Sequence, residues 1–305
     1  MEPASPRPAP DAELSLRDPA TGRPLRVLIT RPADQAQATA ELVQQAGGEA
    51  LVHPCLVAAE AQPPLSQILA ATLQQVQDAS LGAPILAVTS RYAVQALGAA
   101  LSASQPAQPP SQALRGFQLA AVGPRTAQAL IELGCHPDFV AGDAAGPDGG
   151  EEQSSAAQLA AQLIAAQPLS STGPRPAVLF LRAAEARPTL PQALRAAGFS
   201  VTEAEAYRMQ PASPASLSPL RQALTEARVD LVPFGSPRTV AITLEALGSQ
   251  AAALLAPTRV GAIGQTTAQA LLAAGIRVDA VASQARFSAL LATLARMCTR
   301  LAVLA

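Results

Sequence analysis

Ala121-Val-Gly-Pro-Arg-Thr-Ala-Gln-Ala-Leu130 and Ala262-Ile-Gly-Gln-Thr-Thr-Ala-Gln-Ala-Leu271 repeat one pattern: an apolar run, a glycine turn carrying threonine, then the first turns of a helix. Continued through Gly134 and Gly275 to Ala141 and Ala282, about half of the paired positions are identical, which marks an internal repeat. Two further pairs answer one another. Thr89-Ser-Arg-Tyr-Ala-Val94 matches Gly235-Ser-Pro-Arg-Thr-Val240, and Leu28 to Arg31 with Gly47 matches Leu179 to Arg182 with Gly198. The chain reads as a duplication.

Outward from these repeats the same grammar continues. Leu25-Arg-Val-Leu-Ile-Thr30 predicts a strand, Asp34 to Gln45 an amphipathic helix ended by Gly47-Gly48, and Ala50-Leu-Val-His-Pro54 a second strand. Pro84 to Thr89, Phe117 to Val122, Ala177 to Leu181, Val229 to Val232 and Val260 to Ile263 are apolar runs, each followed by a turn and a helical pattern. Alternation of this kind predicts an α/β fold of two similar halves, each with a parallel sheet, and a cleft between them. The proline- and serine-rich stretches 103–112 and 142–155 read as surface loops.

Composition removes several classes of function. The 305 residues have a net charge of −1, which argues against nucleic acid as a partner, because phosphate contacts need a positive excess. All 21 basic residues are arginine, so chemistry requiring a lysine amine is excluded: Schiff bases, pyridoxal-phosphate attachment and Walker-type phosphate loops. Cys55, Cys135 and Cys298 form no CxxC pair and are expected to be buried free thiols. His53 and His136 have no metal-ligand spacing. No apolar stretch reaches the ~20 residues of a membrane span, and Met1 to Pro24 reads as a disordered, proline-rich leader with no signal-peptide core. A cytoplasmic, membrane-free protein is the expectation.

Ligands of open α/β sheets bind beyond the carboxyl ends of the strands, so chemistry is sought in the turns there. Gly-Pro-Arg-Thr and Gly-Ser-Pro-Arg-Thr place backbone N–H groups and hydroxyls at a helix N-terminus, where the dipole favours an anion by ~0.3–1 kcal/mol. Arg31, Arg91, Arg125, Arg182, Arg187 and Arg238 lie in or just after such turns and could add bidentate carboxylate contacts. The hydroxyls could equally be plain N-caps and the arginines plain surface, but recurrence at matching places favours a polyanionic ligand. Tyr207, one of two tyrosines, could serve as a general acid or as packing. No GxGxxG follows the first strand, no GxSxG appears, and two histidines do not assemble a triad.

Val27-Leu-Ile-Thr-Arg-Pro32, Val88-Thr-Ser90, Ala121 to Thr126, Ala206-Tyr-Arg208, Gly235-Ser-Pro237 and Ala262 to Ala268 together resemble the uroporphyrinogen-III synthase family, over roughly residues 25–295. The resemblance implies two α/β domains joined by a two-stranded ladder. The first would be discontinuous, 25–57 with 211–305, and the second would be 58–210. It implies a monomeric, cofactor-free lyase that closes hydroxymethylbilane into uroporphyrinogen III with loss of water and inversion of one pyrrole through a spirocyclic intermediate. Hydroxymethylbilane synthase, which makes that substrate, is the candidate partner protein. Tyr207 matches the family tyrosine held to assist departure of the hydroxyl. Arg31, Ser90, Gly123, Thr126, Arg182, Ser236, Pro237, Thr266 and Thr267 match substrate-binding positions.

Two departures stand out: Gly235 replaces a usual threonine, and Arg182-Ala-Ala-Glu-Ala-Arg187 lacks the glycines common there. The rival reading from another class is a two-domain receptor that closes on an anionic small molecule without transforming it. A nucleotide-sugar or dinucleotide enzyme is a third, weakened by the missing glycine fingerprint.

Overall fold

The computed structural model describes residues 14–80, 82–142, 152–167 and 175–302. In chain order the elements are β1 (Arg26–Ile29), α1 (Ala33–Gln45), β2 (Glu49–Val52), β3 (Leu56–Glu60), α2 (Leu65–Asp78), β4 (Ile85–Val88), α3 (Arg91–Ser104), α4 (Pro110–Ala113), β5 (Gln118–Ala121), α5 (Pro124–Glu132), β6 (Phe139–Val140) and α6 (Glu152–Ala166). There follow β7 (Val178–Ala183), α7 (Thr189–Ala196), β8 (Val201–Pro211), α8 (Pro214–Thr225), β9 (Leu231–Phe234), α9 (Pro237–Leu247), α10 (Ala251–Leu255), β10 (Arg259–Ala262), α11 (Gln265–Ala273), β11 (Ala280–Val281) and α12 (Phe287–Ala302).

The chain divides into two compact units, one ending at Val57 and resuming at Pro211, the other Ala58–Gln210. Unit 1 has a five-stranded sheet in the order β11-β10-β9-β1-β2, and the second sheet has six strands in the order β3-β8-β7-β4-β5-β6. Read backwards and without β3, the second order is β6-β5-β4-β7-β8, so β4, β5 and β6 answer β9, β10 and β11, while β7 and β8 answer β1 and β2. The repeats seen in the sequence are therefore one sheet topology, entered at a different strand in each unit. The registered pairs within these runs are parallel.

The apolar runs are continuous because both faces of the sheet are covered. In β4, Leu86 and Val88 join one buried cluster with α2, α3 and α5, whereas Ile85 and Ala87 join a second with α6 and α7. β7 divides likewise, with Leu179 and Leu181 on one face and Val178 and Phe180 on the other. Each fully buried Leu, Ile, Val or Phe contributes ~1.5–3 kcal/mol relative to exposure, so these short central strands anchor the unit. β3 and β8, neighbours in the second sheet, carry the two points at which the chain passes between the units.

The expected leader to Pro24 needs correction. Residues 1–13 lie outside the described residues, but from Leu14 the chain is folded. Leu16 is wholly buried in the cluster with α1 and α12, its N–H donates to Ala46 O at 2.8 Å, and its carbonyl accepts from Leu25 N at 2.8 Å. The proline content concealed an apolar pair, Leu14 and Leu16, that closes over the base of β1. The expected loop 142–155 is partly helical, since α6 starts at Glu152, and 143–151 lies outside the described residues.

Candidate active site

The ten residues matched from sequence divide five and five between the units, and in each unit they meet at the carboxyl edge of adjacent strands. In unit 2 the neighbours β8, β7, β4 and β5 bring Tyr207, Arg182, Ser90 and the Gly123–Thr126 turn to one edge. Ser90 is the N-cap of α3, its Oγ accepting from Ala93 N at 3.1 Å. Gly123 precedes α5 with φ at +98°, a conformation that L side chains avoid, so the glycine is required by the turn itself. Thr126 is buried in the first turn of α5. Arg182 is engaged inside the unit: Nε donates to Glu203 at 2.7 Å and Nη1 to the carbonyls of Ala183 and Ala184, each at 2.9 Å.

Unit 1 repeats the arrangement on β10, β9 and β1. Ser236 caps α9, its Oγ accepting from Thr239 N at 3.2 Å, with Pro237 in the first helical position, where its missing N–H costs nothing. Thr267 is buried like its counterpart Thr126, while Thr266, the counterpart of Arg125, is exposed. Arg31 is only 9% exposed. Its guanidinium donates to Thr39 Oγ1 and Gln35 Oε1 at 2.9 Å each, and lies 4.1 Å over the centre of the Phe287 ring. Phe287 also explains Gly235, because a Cβ there would stand 3.0 Å from Phe287 Cζ. Beside Arg31, the Thr30 hydroxyl is buried with no hydrogen-bond partner.

With the capping hydroxyls occupied, a ligand would meet the first-turn N–H groups, which have no partner within their helices. Exposed Arg91, Arg125 and Arg238 flank three of these turns. Such an edge suits several carboxylates at once. The thiols offer nothing comparable: Cys55 and Cys135 are buried, Cys298 is half-buried, and burial pushes the Cys55 thiol up against a smaller lowering from its Thr243 hydrogen bond. Among the described residues no group of three or more His, Cys, Asp or Glu is placed to hold a metal ion, and no helix is long and apolar enough to cross a membrane.

Sequence reasoning did not find the surroundings of Tyr207. Its ring meets that of Tyr92 with centroids 5.4 Å apart and planes tilted by 50°. Both rings line a cavity of about 480 Å³ within unit 2, otherwise walled by β3, the start of α2 and the alanines of α3. The sequence signal was slight: the only two tyrosines lie far apart in the chain, one in the first turn of α3 and one within β8.

The family model described as uroporphyrinogen-III synthase HemD matches residues 37–292. A protein of Methanothermobacter thermautotrophicus, provisionally named uroporphyrinogen-III synthase, is 30% identical over 260 residues, 81% of this chain and 89% of that one. The uroporphyrinogen-III synthase of Chlorobaculum parvum is 32% identical over 103 residues, 34% of this chain and 41% of that one. Among solved structures, the uroporphyrinogen-III synthetase of Helicobacter pylori is 18% identical, with 92% of this chain and 98% of that one covered and a TM-score of 0.48. A mutant uroporphyrinogen III synthase from Thermus thermophilus is 20% identical, with 92% and 100% covered and a TM-score of 0.41.

Proposed function

This chain belongs to the uroporphyrinogen-III synthase family, cyclising enzymes of tetrapyrrole synthesis, and from that membership we propose that its substrate is hydroxymethylbilane and its product uroporphyrinogen III. The observation that carries the reading is the duplicated edge. In each unit two adjacent strands, β4 and β5 in one and β9 and β10 in the other, end in a serine-capped turn and a glycine turn that lead into helix N-termini, a pattern fitted to a ligand bearing several carboxylates. The receptor reading is not favoured, because the family is one of enzymes.

The chemistry asks little of the protein covalently. The terminal carbon–oxygen bond breaks and water leaves, which requires a proton, and Tyr207 is the group proposed to supply a hydrogen bond or proton there. The resulting cation is delocalised into its pyrrole nitrogen. The far pyrrole attacks it through its substituted carbon, and the spirocyclic product then opens and recloses with that ring reversed, releasing a proton. Holding both ends of the linear substrate in one arrangement is the larger task, and orientation of this kind is worth ~7–11 kcal/mol. Ser90, Gly123, Thr126, Ser236, Pro237, Thr266 and Thr267 are proposed to receive carboxylates through their turns. Arg31, held by the neutral side chains of Thr39 and Gln35, is proposed to act as a fixed positive charge behind those turns. Arg182, paired with Glu203, is proposed to bind substrate through the guanidinium that this ion pair holds at the end of β7.

The two units are taken as the two domains, acting as a monomer without a cofactor. Unpaired thiols fit a reducing cytoplasm. The test is conversion of hydroxymethylbilane by the purified protein in a chelator, followed by mass spectrometry. A macrocycle lighter than the substrate by one water, formed faster than without protein, supports the reading. Recovery of unchanged substrate bound to the protein would return the receptor reading.

A further inference from the structure

We infer that Tyr92 is a positioning residue for Tyr207, setting the direction of the phenol on which the proposed proton donation depends; the inference rests on that reading of Tyr207. The ladder between β7 and β8 is regular from Val178 with Val201 to Arg182 with Glu205, but the next pair is Ala183 with Tyr207, so one residue of β8 is skipped. Without that irregularity, alternation would send Tyr207 to the face opposite Ala204 and Ala206. Instead Tyr207 packs against the same cluster as those two alanines, together with Val94 and Leu97 of α3. A bulge at a strand end re-aims a side chain in this way.

What then holds the ring? α3 turns small residues toward the cavity, Ala96, Ala99 and Ala103, and β3 adds Ala58 and Ala59, leaving about 480 Å³ of open volume beside the phenol. Leu65 and Gln95 add bulk to that lining, but the ring in contact with Tyr207 is that of Tyr92, the second residue of α3, tilted at a centroid distance of 5.4 Å, an arrangement that aromatic pairs favour. Tyr92 is fixed in turn by the start of its own helix, where the Ser90 cap bonds Ala93 N at 3.1 Å. The bulge aims Tyr207 at the cavity, and Tyr92 sets where along it the ring stops. Among the described residues of the lining, Glu60 is the only other ionisable group, so the space is unsuited to the substrate's carboxylates.

Four proteins test this with hydroxymethylbilane under saturating and limiting conditions: Tyr92→Ala, Tyr92→Phe, Tyr207→Phe and the double variant Tyr92→Ala/Tyr207→Phe. Each is first checked for a wild-type circular dichroism spectrum, and Tyr92→Leu replaces Tyr92→Ala if that variant does not fold. Tyr92→Ala is expected to lower kcat about tenfold, equivalent to ~1.4 kcal/mol of barrier, with KM within about twofold. Tyr92→Phe should restore kcat, and the double variant should be no slower than Tyr207→Phe alone. A Tyr92→Ala enzyme with wild-type kcat, a slow Tyr92→Phe, or losses that multiply in the double variant would each overturn the inference while leaving Tyr207 in place. Wild-type turnover by Tyr207→Phe would overturn it too, by removing Tyr207 from the reaction, and that outcome is distinct from the other three.

Discussion

Restoring the usual threonine at Gly235 should damage this protein rather than improve it. Gly235 follows β9, and a Cβ there would lie 3.0 and 3.1 Å from Cζ and Cε2 of Phe287. That ring is 1% exposed and carries the Arg31 guanidinium 4.1 Å above its centre, so it has little room to retreat. Overpacking of this kind costs ~1–3 kcal/mol. We expect Gly235→Ala near the lower end and Gly235→Thr near the upper. For a unit of this size each kcal/mol moves Tm by ~2–4 °C, giving falls of about 2–4 °C and 6–12 °C. The chain has no tryptophan, so unfolding is followed by circular dichroism. The decisive comparison is Gly235→Ala/Phe287→Leu, which should melt within about 2 °C of Phe287→Leu alone, because the shortened side chain leaves space for the new methyl. An unchanged Tm in Gly235→Ala, or simple addition of the two losses, would refute the steric explanation.

Other expectations can be checked alongside. Tyr207→Phe should slow the reaction without abolishing it, since positioning survives the loss of one donor; single-turnover rates decide, and unchanged turnover counts against the proposed role. Ser236→Ala removes the cap of α9 and should cost ~1 kcal/mol, read as a fall in the urea midpoint; an unchanged midpoint would mean that Thr239, whose hydroxyl donates to Ser236 O at 2.8 Å, stabilises that end alone. Burial alone would raise the Asp230 carboxyl, but hydrogen bonds from Arg23 and Arg26 outweigh it and hold it well below the usual carboxylate range. A depressed folded value means that the stabilisation is present above the unfolded value near ~3.9 and is lost as pH falls below it. Asp230→Asn should therefore melt lower at neutral pH and lose less on acidification, and parallel Tm–pH curves for the two proteins would count against this.

Much of the architecture was legible because buried parallel strands announce themselves as apolar runs. The run 84–89 contains β4, 117–122 contains β5 and 25–30 contains β1, each bounded by the turn that the sequence marked. The matched glycines were equally informative: Gly47 and Gly198, paired from sequence, both stand after a helix with positive φ, at +80° and +89°. The common sheet order was only implicit, because strand adjacency is non-local. Local pattern also could not place Leu16 against a helix end thirty residues on, or Phe287 between Gly235 and Arg31. The contact of Tyr92 with Tyr207 joins the first turn of α3 to the interior of β8, and it further depends on a skipped residue in β8 that alternation alone would deny. Arginine was the least legible type. Arg31 and Arg182 looked the same as Arg125 in sequence, yet the first two are tied down by neighbours and the last is exposed.

The most direct measurement is the isomer composition of the product. Freshly made hydroxymethylbilane is given to the purified protein without metal or cofactor, the macrocycle is oxidised, and the type I and type III uroporphyrins are separated. Predominantly type III, formed well above the rate without protein, is the result expected of an enzyme that inverts one ring during closure. Type I alone, formed at the rate seen without protein, would contradict it.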